Sequence, residues 1–162
     1  MTRTTAKAGS LGVVILSLWG AGCGSPDDPA NLVHATFSVD GVAQDYKTNT
    51  SFWQPLYSVA YCASGNPSNC SHSLTVDLPS DVKTGDVFTQ PSAPFSFILY
   101  QDAQGVQYRP EDCSGPGMTL TVTSWPGPGH YAQGTFAGTV YDESCTHSVV
   151  LANGTFEGWI VN

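Results

Sequence analysis

Residues 118–141 read MTLTVTSWPGPGHYAQGTFAGTVY, two alternating runs joined by a Pro-Gly-Pro-Gly turn. In the first run Met118, Leu120 and Val122 fall on one side, and Thr119, Thr121 and Thr123 on the other. Successive side chains of a strand point to opposite faces, so this period of two predicts a strand with one buried face. The return run, Tyr131 to Tyr141, turns Phe136 and Val140 inward. Gly134 and Gly138 within it mark bulges, or points where another layer packs closely. Pairing across the turn sums to about 255, which brings residue 113 opposite roughly residue 142.

The same alternation recurs along the chain. ATFSV (35–39) puts Ala35, Phe37 and Val39 together, and the run ending at Cys62 does the same with Tyr57, Val59 and Tyr61. Leu74, Val76 and Leu78 form a third set; Phe95, Phe97 and Leu99 alternate with Ser96, Ile98 and Tyr100. At the C-terminus, Asn153-Gly154 between two apolar runs predicts a two-residue hairpin, because both turn positions of that hairpin need positive φ. Such a turn pairs Leu151 with Phe156, Val149 with Gly158 and His147 with Ile160 on an apolar face. It leaves Val150, Glu157, Ser148 and Trp159 on a mixed one. No window after residue 30 carries a helical apolar period. The expected fold is all-β, an antiparallel β-sandwich of about nine or ten strands, with a small β-barrel as second choice.

The first 22 residues differ from the rest. Arg3 and Lys7 precede an apolar run, LGVVILSLW (11–19), too short to span a bilayer core and of the length of a secretory leader. Gly20, Ala21 and Gly22 then bring small residues up to Cys23. The stretch GAGC (20–23) resembles the lipobox of bacterial lipoproteins, in which the cysteine is acylated and becomes the first mature residue. That resemblance implies a fatty-acyl anchor, palmitate included, on Cys23, and export to the cell envelope; Gly24 after the cysteine fits the outer membrane of a Gram-negative bacterium. Residues 1–22 are then the signal peptide, 23–33 a turn-rich flexible tether, and 34–162 the β-domain.

Export implies oxidation, so Cys62, Cys70, Cys113 and Cys145 are expected to pair. Four cysteines allow three connectivities. The strand reading leans to Cys62–Cys70, closing the loop between two strands, and to Cys113–Cys145, at one end of the C-terminal sheet. A competing reading takes CSHSL (70–74) and CTHSV (145–149) as two Cys-x-His pairs, Cys70 with His72 and Cys145 with His147, forming a zinc site. A calcium alternative gathers Glu111, Asp112, Asp142 and Glu143.

Once the leader is removed, Lys47, Lys83 and Arg109 stand against thirteen acids, a net charge of −10. Three scattered cations make no counterion-releasing patch, which argues against nucleic acid as a partner. Attachment to a membrane then falls to the lipid. No nucleophile elbow, zinc-protease motif, phosphate loop or calcium loop appears, so no catalytic residue and no cofactor is assigned. Trp53, Trp125 and Trp159 are candidate ligand-facing aromatics, the latter two on the polar side of their strands by alternation.

The C-terminal stretch, with Gly134, Phe136, Gly138 and Val140 followed by Asn153, Gly154 and Phe156, is similar to the end of small bacterial lipoproteins of unknown function. The opening ATFSVDGVAQDY (35–46) resembles their first hairpin. What this implies is a lipid-anchored β-domain without an assigned activity. The functional expectation is a non-enzymatic binding or structural module of the envelope, with a protein or glycan partner. The alternative is a carbohydrate-binding or carbohydrate-processing domain that uses exposed aromatics.

Overall fold

The computed structural model describes residues 33–48, 50–52, 56–66, 70–90, 97–110, 113 and 115–161. Cys23, Trp53, Phe95, Ser96, Glu111 and Asp112 lie outside the described residues. Ten antiparallel strands form one sheet: β1 Val33–Val39, β2 Val42–Thr48, β3 Tyr57–Cys62, β4 Ser73–Leu78, β5 Val87–Thr89, β6 Ile98–Gln101, β7 Gln107–Tyr108, β8 Met118–Ser124, β9 Tyr131–Tyr141 and β10 Ser148–Trp159. Their spatial order is β5-β8-β9-β10-β1-β2-β3-β4-β6-β7. The strip curls into a half-open barrel. Among the described residues one pair, Lys47 with Cys62, joins β2 to β3. Just past β7, Arg109 returns to exchange two 2.7 Å backbone hydrogen bonds with Tyr141 of β9.

Alternation builds the core as expected. Val33, Ala35 and Phe37 of β1, Tyr57, Val59 and Tyr61 of β3, and Leu74, Val76 and Leu78 of β4 are buried, as are Met118, Leu120 and Val122 of β8. Each large side chain removed from water stabilises the fold by about 1.5–3 kcal/mol. The two halves of the curled sheet meet through these residues. Phe37 of β1 packs edge-on against Tyr100 of β6, with ring centroids 6.2 Å apart. The Tyr61 hydroxyl crosses the core to donate to the Glu157 carbonyl at 2.6 Å. Near β6 the reading was incomplete: Phe97 and Ile98 are both fully buried, because Phe97 precedes the strand and packs against Phe88 of β5.

The Asn153-Gly154 hairpin is not there. β10 runs straight through these residues, pairing with β9 on one side and β1 on the other. Between Leu151 and Gly154, two residues of β10 stand opposite only Ala137 of β9, which makes a bulge. Asn153 takes the left-handed φ of 53° that a bulge requires, and asparagine tolerates it better than most residues. The extra residue reverses the inward phase: Leu151 is buried before it, Gly154, Phe156, Gly158 and Ile160 after it. The register expected from a hairpin therefore fails, while the division into faces survives within the strand; His147, expected on the apolar face, is exposed ahead of β10. The Asp-Gly hairpin of this protein is instead at Asp40–Gly41, with φ of 47° and 85°, joining β1 to β2. Asp45 follows within β2, opposite Thr36.

β9 and β10 share a repeated triplet, Gly-Thr-Phe at 134–136 and at 154–156. In the antiparallel register the copies cross: Gly134 opposes Phe156, Thr135 opposes Thr155, and Phe136 opposes Gly154. Each phenylalanine ring covers the glycine of the other copy, and a Cβ on either glycine would collide with that ring. The expectation of close packing at Gly134 thus has a specific partner. β8 and β9 pair one residue away from the anticipated register, Met118 opposite Gly138.

Candidate binding surfaces

Two disulfides close loops at strand ends. Cys62 is bonded to Cys70 and Cys113 to Cys145, with Cα separations of 5.5 and 5.8 Å. Both sulfurs of the zinc alternative are thereby in disulfides, and no thiolate remains at Cys70 or Cys145 to bind a metal. Among the described residues, no three His, Cys, Asp or Glu side chains converge as metal ligands.

Much of the chain's acidity shapes turns. Asp142 Oδ1 accepts from the Thr146 and His147 amides at 2.9 and 3.0 Å, and its Oδ2 accepts from the Ser144 hydroxyl at 2.9 Å. The His147 ring lies 3.1 Å away. These donors, the His147 backbone amide foremost, hold the Asp142 carboxyl well below the ordinary carboxylate range. Asp102 Oδ1 takes the Gln104 and Val106 amides, both at 2.9 Å. Asp40 Oδ1 takes the Val150 amide at 2.8 Å, and Asp86 Oδ2 the Lys83 amide at 2.8 Å. The calcium alternative loses Asp142 to this role, since its lone pairs already serve the turn that leads to Cys145. Beside that turn lies a cleft of about 410 Å³ containing Arg109, Gln107 and Glu143. The Arg109 guanidinium donates to Gln107 Oε1 at 3.1 Å.

The outer face of β8, β9, β10 and β1 has a different character. Thr36, Thr155, Thr135 and Thr121 stand in one row across four strands. The Thr36 and Thr155 hydroxyls lie 2.8 Å apart. Neighbouring strands are about 4.8 Å apart, so the row is a regular ladder of hydroxyl and methyl groups. Two shallow troughs flank it, of about 260 and 350 Å³, sharing Thr135 and Thr155. One continues to His34, Gln133 and Glu157, the other to Thr119, Ala137 and Asn153. His34 Nδ1 is 2.9 Å from Asp45 Oδ1, and Lys47 Nζ is 3.8 Å from its Oδ2, so this face offers little net charge.

The two described tryptophans, Trp125 and Trp159, gather at one end of the sheet rather than across a face. A bulge in β8 between Val122 and Ser124 adds a residue and turns Trp125 toward the core, against the alternation. Its ring packs on Tyr57 at 4.9 Å and on Phe52 at 5.7 Å. Trp159 remains half-buried on the outside, edge-to-face with Tyr131 at 4.9 Å. Phe52 bridges to Ile160, and its amide donates to the Trp159 carbonyl at 2.7 Å, which ties the two tryptophans into one cluster. Tyr131 and Leu56 are exposed there, at 39% and 60%. Sequence reasoning missed both residues; the strand end they share with the tryptophans was the signal.

Compared with protein-family models, with curated proteins and with solved structures, the chain matches none.

Proposed function

We propose that the protein is a lipid-anchored module of the bacterial cell envelope, non-enzymatic, which binds a partner through the threonine-lined face of its β-domain. The observation that carries the anchoring is the cysteine pairing. The four cysteines of the β-domain are joined to one another, so Cys23, behind an export-type leader, is the cysteine of the sequence that these two bridges do not use. Disulfides also accord with an oxidising, extracytoplasmic compartment. Acyl chains on Cys23 supply the stable attachment that an acidic domain lacks on its own.

The likeness to small lipoproteins of unknown function points the same way. The binding role rests on the polar ladder and its two troughs, which form a continuous surface free of the turn-closing acids. The test is the intact mass of the mature chain in the membrane fraction. The expected mass is that of residues 23–162 with acyl chains added and four hydrogens removed by two disulfides. Cys23→Ser is expected to move the protein to the soluble fraction with its fold unchanged. An unmodified mature N-terminus overturns the reading.

A second reading, glycan binding, is favoured by one arrangement: Trp159 and Tyr131 pair across β10 and β9 two residues beyond Glu157 and Gln133, which line a trough. An indole facing water there offers a stacking surface for a sugar ring.

A further inference from the structure

The domain is polarised along its strands. At one end stand Leu56, Trp125, Tyr131 and Trp159, two of them in edge-to-face contact and Leu56 60% exposed. The opposite end holds the acid turns: Asp40 between β1 and β2, Asp102 between β6 and β7, and Asp142 and Glu143 between β9 and β10. The Tyr108 hydroxyl donates to Asp102 Oδ2 at 3.3 Å, and the next residue, Arg109, pairs with Tyr141 beside Asp142, which brings these turns together. The start of β1 belongs to the aromatic end. Ala35 pairs with Phe156 in antiparallel register, which carries Val33 to the level of Gly158, beside Trp159. The chain from Cys23 to Val33 is ten residues long and reaches at most about 35 Å.

We propose that this aromatic end seats in the headgroup region of the phospholipid bilayer to which Cys23 is anchored, as a second, non-covalent contact. The proposal rests on the anchoring reading above. Three observations choose a bilayer as occupant. The tether enters at the aromatic end and is short, so that end is the one held near the lipid. Tryptophan and tyrosine, with an apolar body and a polar edge, favour the membrane–water interface, and Leu56 adds an exposed aliphatic group. The turns of Asp40, Asp102 and Asp142, which an anionic surface would repel, lie at the far end. The adjoining turn at the aromatic end carries one cation, Lys83, beside Asp81 and Asp86, and the Lys83 amide donates to Asp86 Oδ2. The contact fixes the domain's attitude, so that the strands stand along the membrane normal and the threonine ladder, which crosses them, runs parallel to the membrane with both troughs open to water.

The test uses the full mature chain, acylated, in phosphatidylcholine vesicles whose acyl chains carry bromine either near the headgroup or near the chain end. With Trp53→Phe in the background, emission comes from Trp125 and Trp159. The expected result is strong quenching by the shallow bromine, little by the deep one, and a blue-shifted emission compared with the detergent-free Cys23→Ser protein. Adding Leu56→Asp and Tyr131→Asp is expected to abolish that quenching while the acylated chain stays with the vesicles. An acylated, vesicle-bound chain whose emission neither bromine quenches overturns the seat and leaves the anchor standing. Emission that responds to a neutral oligosaccharide but not to brominated lipid overturns it in favour of the glycan reading. A chain without acyl groups that does not sediment with vesicles overturns anchor and seat together.

Discussion

The ring of Phe136 covers Gly154, and the ring of Phe156 covers Gly134, two halves of one crossed contact between β9 and β10. A glycine in a strand normally weakens it, through backbone freedom and a missing side chain. Here the aromatic of the facing strand fills the space, so each glycine becomes a specificity element for register. Sliding β10 by two residues would keep its faces but bring Phe rings against side chains.

Gly154→Ala is therefore expected to destabilise the fold by about 1–3 kcal/mol, the range for forcing extra carbon into a packed core. Phe136→Leu in the same chain should return part of the loss by making room. Urea denaturation of the two single variants and the double checks this, and simple additivity would contradict the contact.

Tyr61→Phe removes the hydroxyl that spans the core to the Glu157 carbonyl. Its loss should lower stability by about 1 kcal/mol, the usual net worth of one such bond. Burial also raises the Tyr61 phenol well above its ordinary value. Burial raises Tyr46 as well, so spectrophotometric titration should leave a class of tyrosines un-ionised until the protein unfolds in alkali, and that class should be smaller by one in the variant.

The disulfides close loops of unlike length, with sequence separations of 8 and 32 residues. On chain entropy alone the short loop is worth about 2.5 kcal/mol and the long one about 3.7 kcal/mol. Replacing Cys113 and Cys145 by serine should thus cost about 1 kcal/mol more than replacing Cys62 and Cys70, measured by chemical denaturation of each double variant.

Two aspartates should pull stability in opposite directions with pH. Asp142, held below its ordinary value by the turn amides, stabilises the fold above about pH 4 and loses that contribution as pH falls further. Asp142→Asn should therefore be clearly less stable than the parent at neutral pH, with the gap closing toward pH 2. Asp77 is the reverse case: desolvation raises its pKa, partly offset by the Ser58 hydroxyl. Its contribution is full below about pH 4 and fades as pH rises through the raised value. Asp77→Asn should match the parent in acid and melt higher at neutral pH. Thermal melts across this range separate the two.

Much of the architecture was legible because burial imposes a period of two. The inward sets of β1, β3, β4 and β8 could be read directly, and so could the mixed face carrying Glu157 and Trp159. That last success came despite a wrong element. A two-residue hairpin and a one-residue bulge both reverse the inward phase at Asn153-Gly154, so alternation cannot distinguish them. Only the competing strand decides: β1 lies far off in sequence and gives β10 a second neighbour. The same blindness to bulges put Trp125 on the wrong side. β5 and β7, three and two residues long, are too short to show a period at all. The threonine ladder joins residues from 36 to 155, and no local pattern announces it.

β1, which begins at Val33, lies between β10 and β2 and is bonded on both edges. A pull arriving through that N-terminus runs along the strand, while the ladder bonds lie across it. They are loaded in shear, on two sides at once, rather than peeled open in sequence from a free edge. A domain held by this terminus takes mechanical tension through a strand braced on both edges, so two ladders must yield together before the sheet gives way.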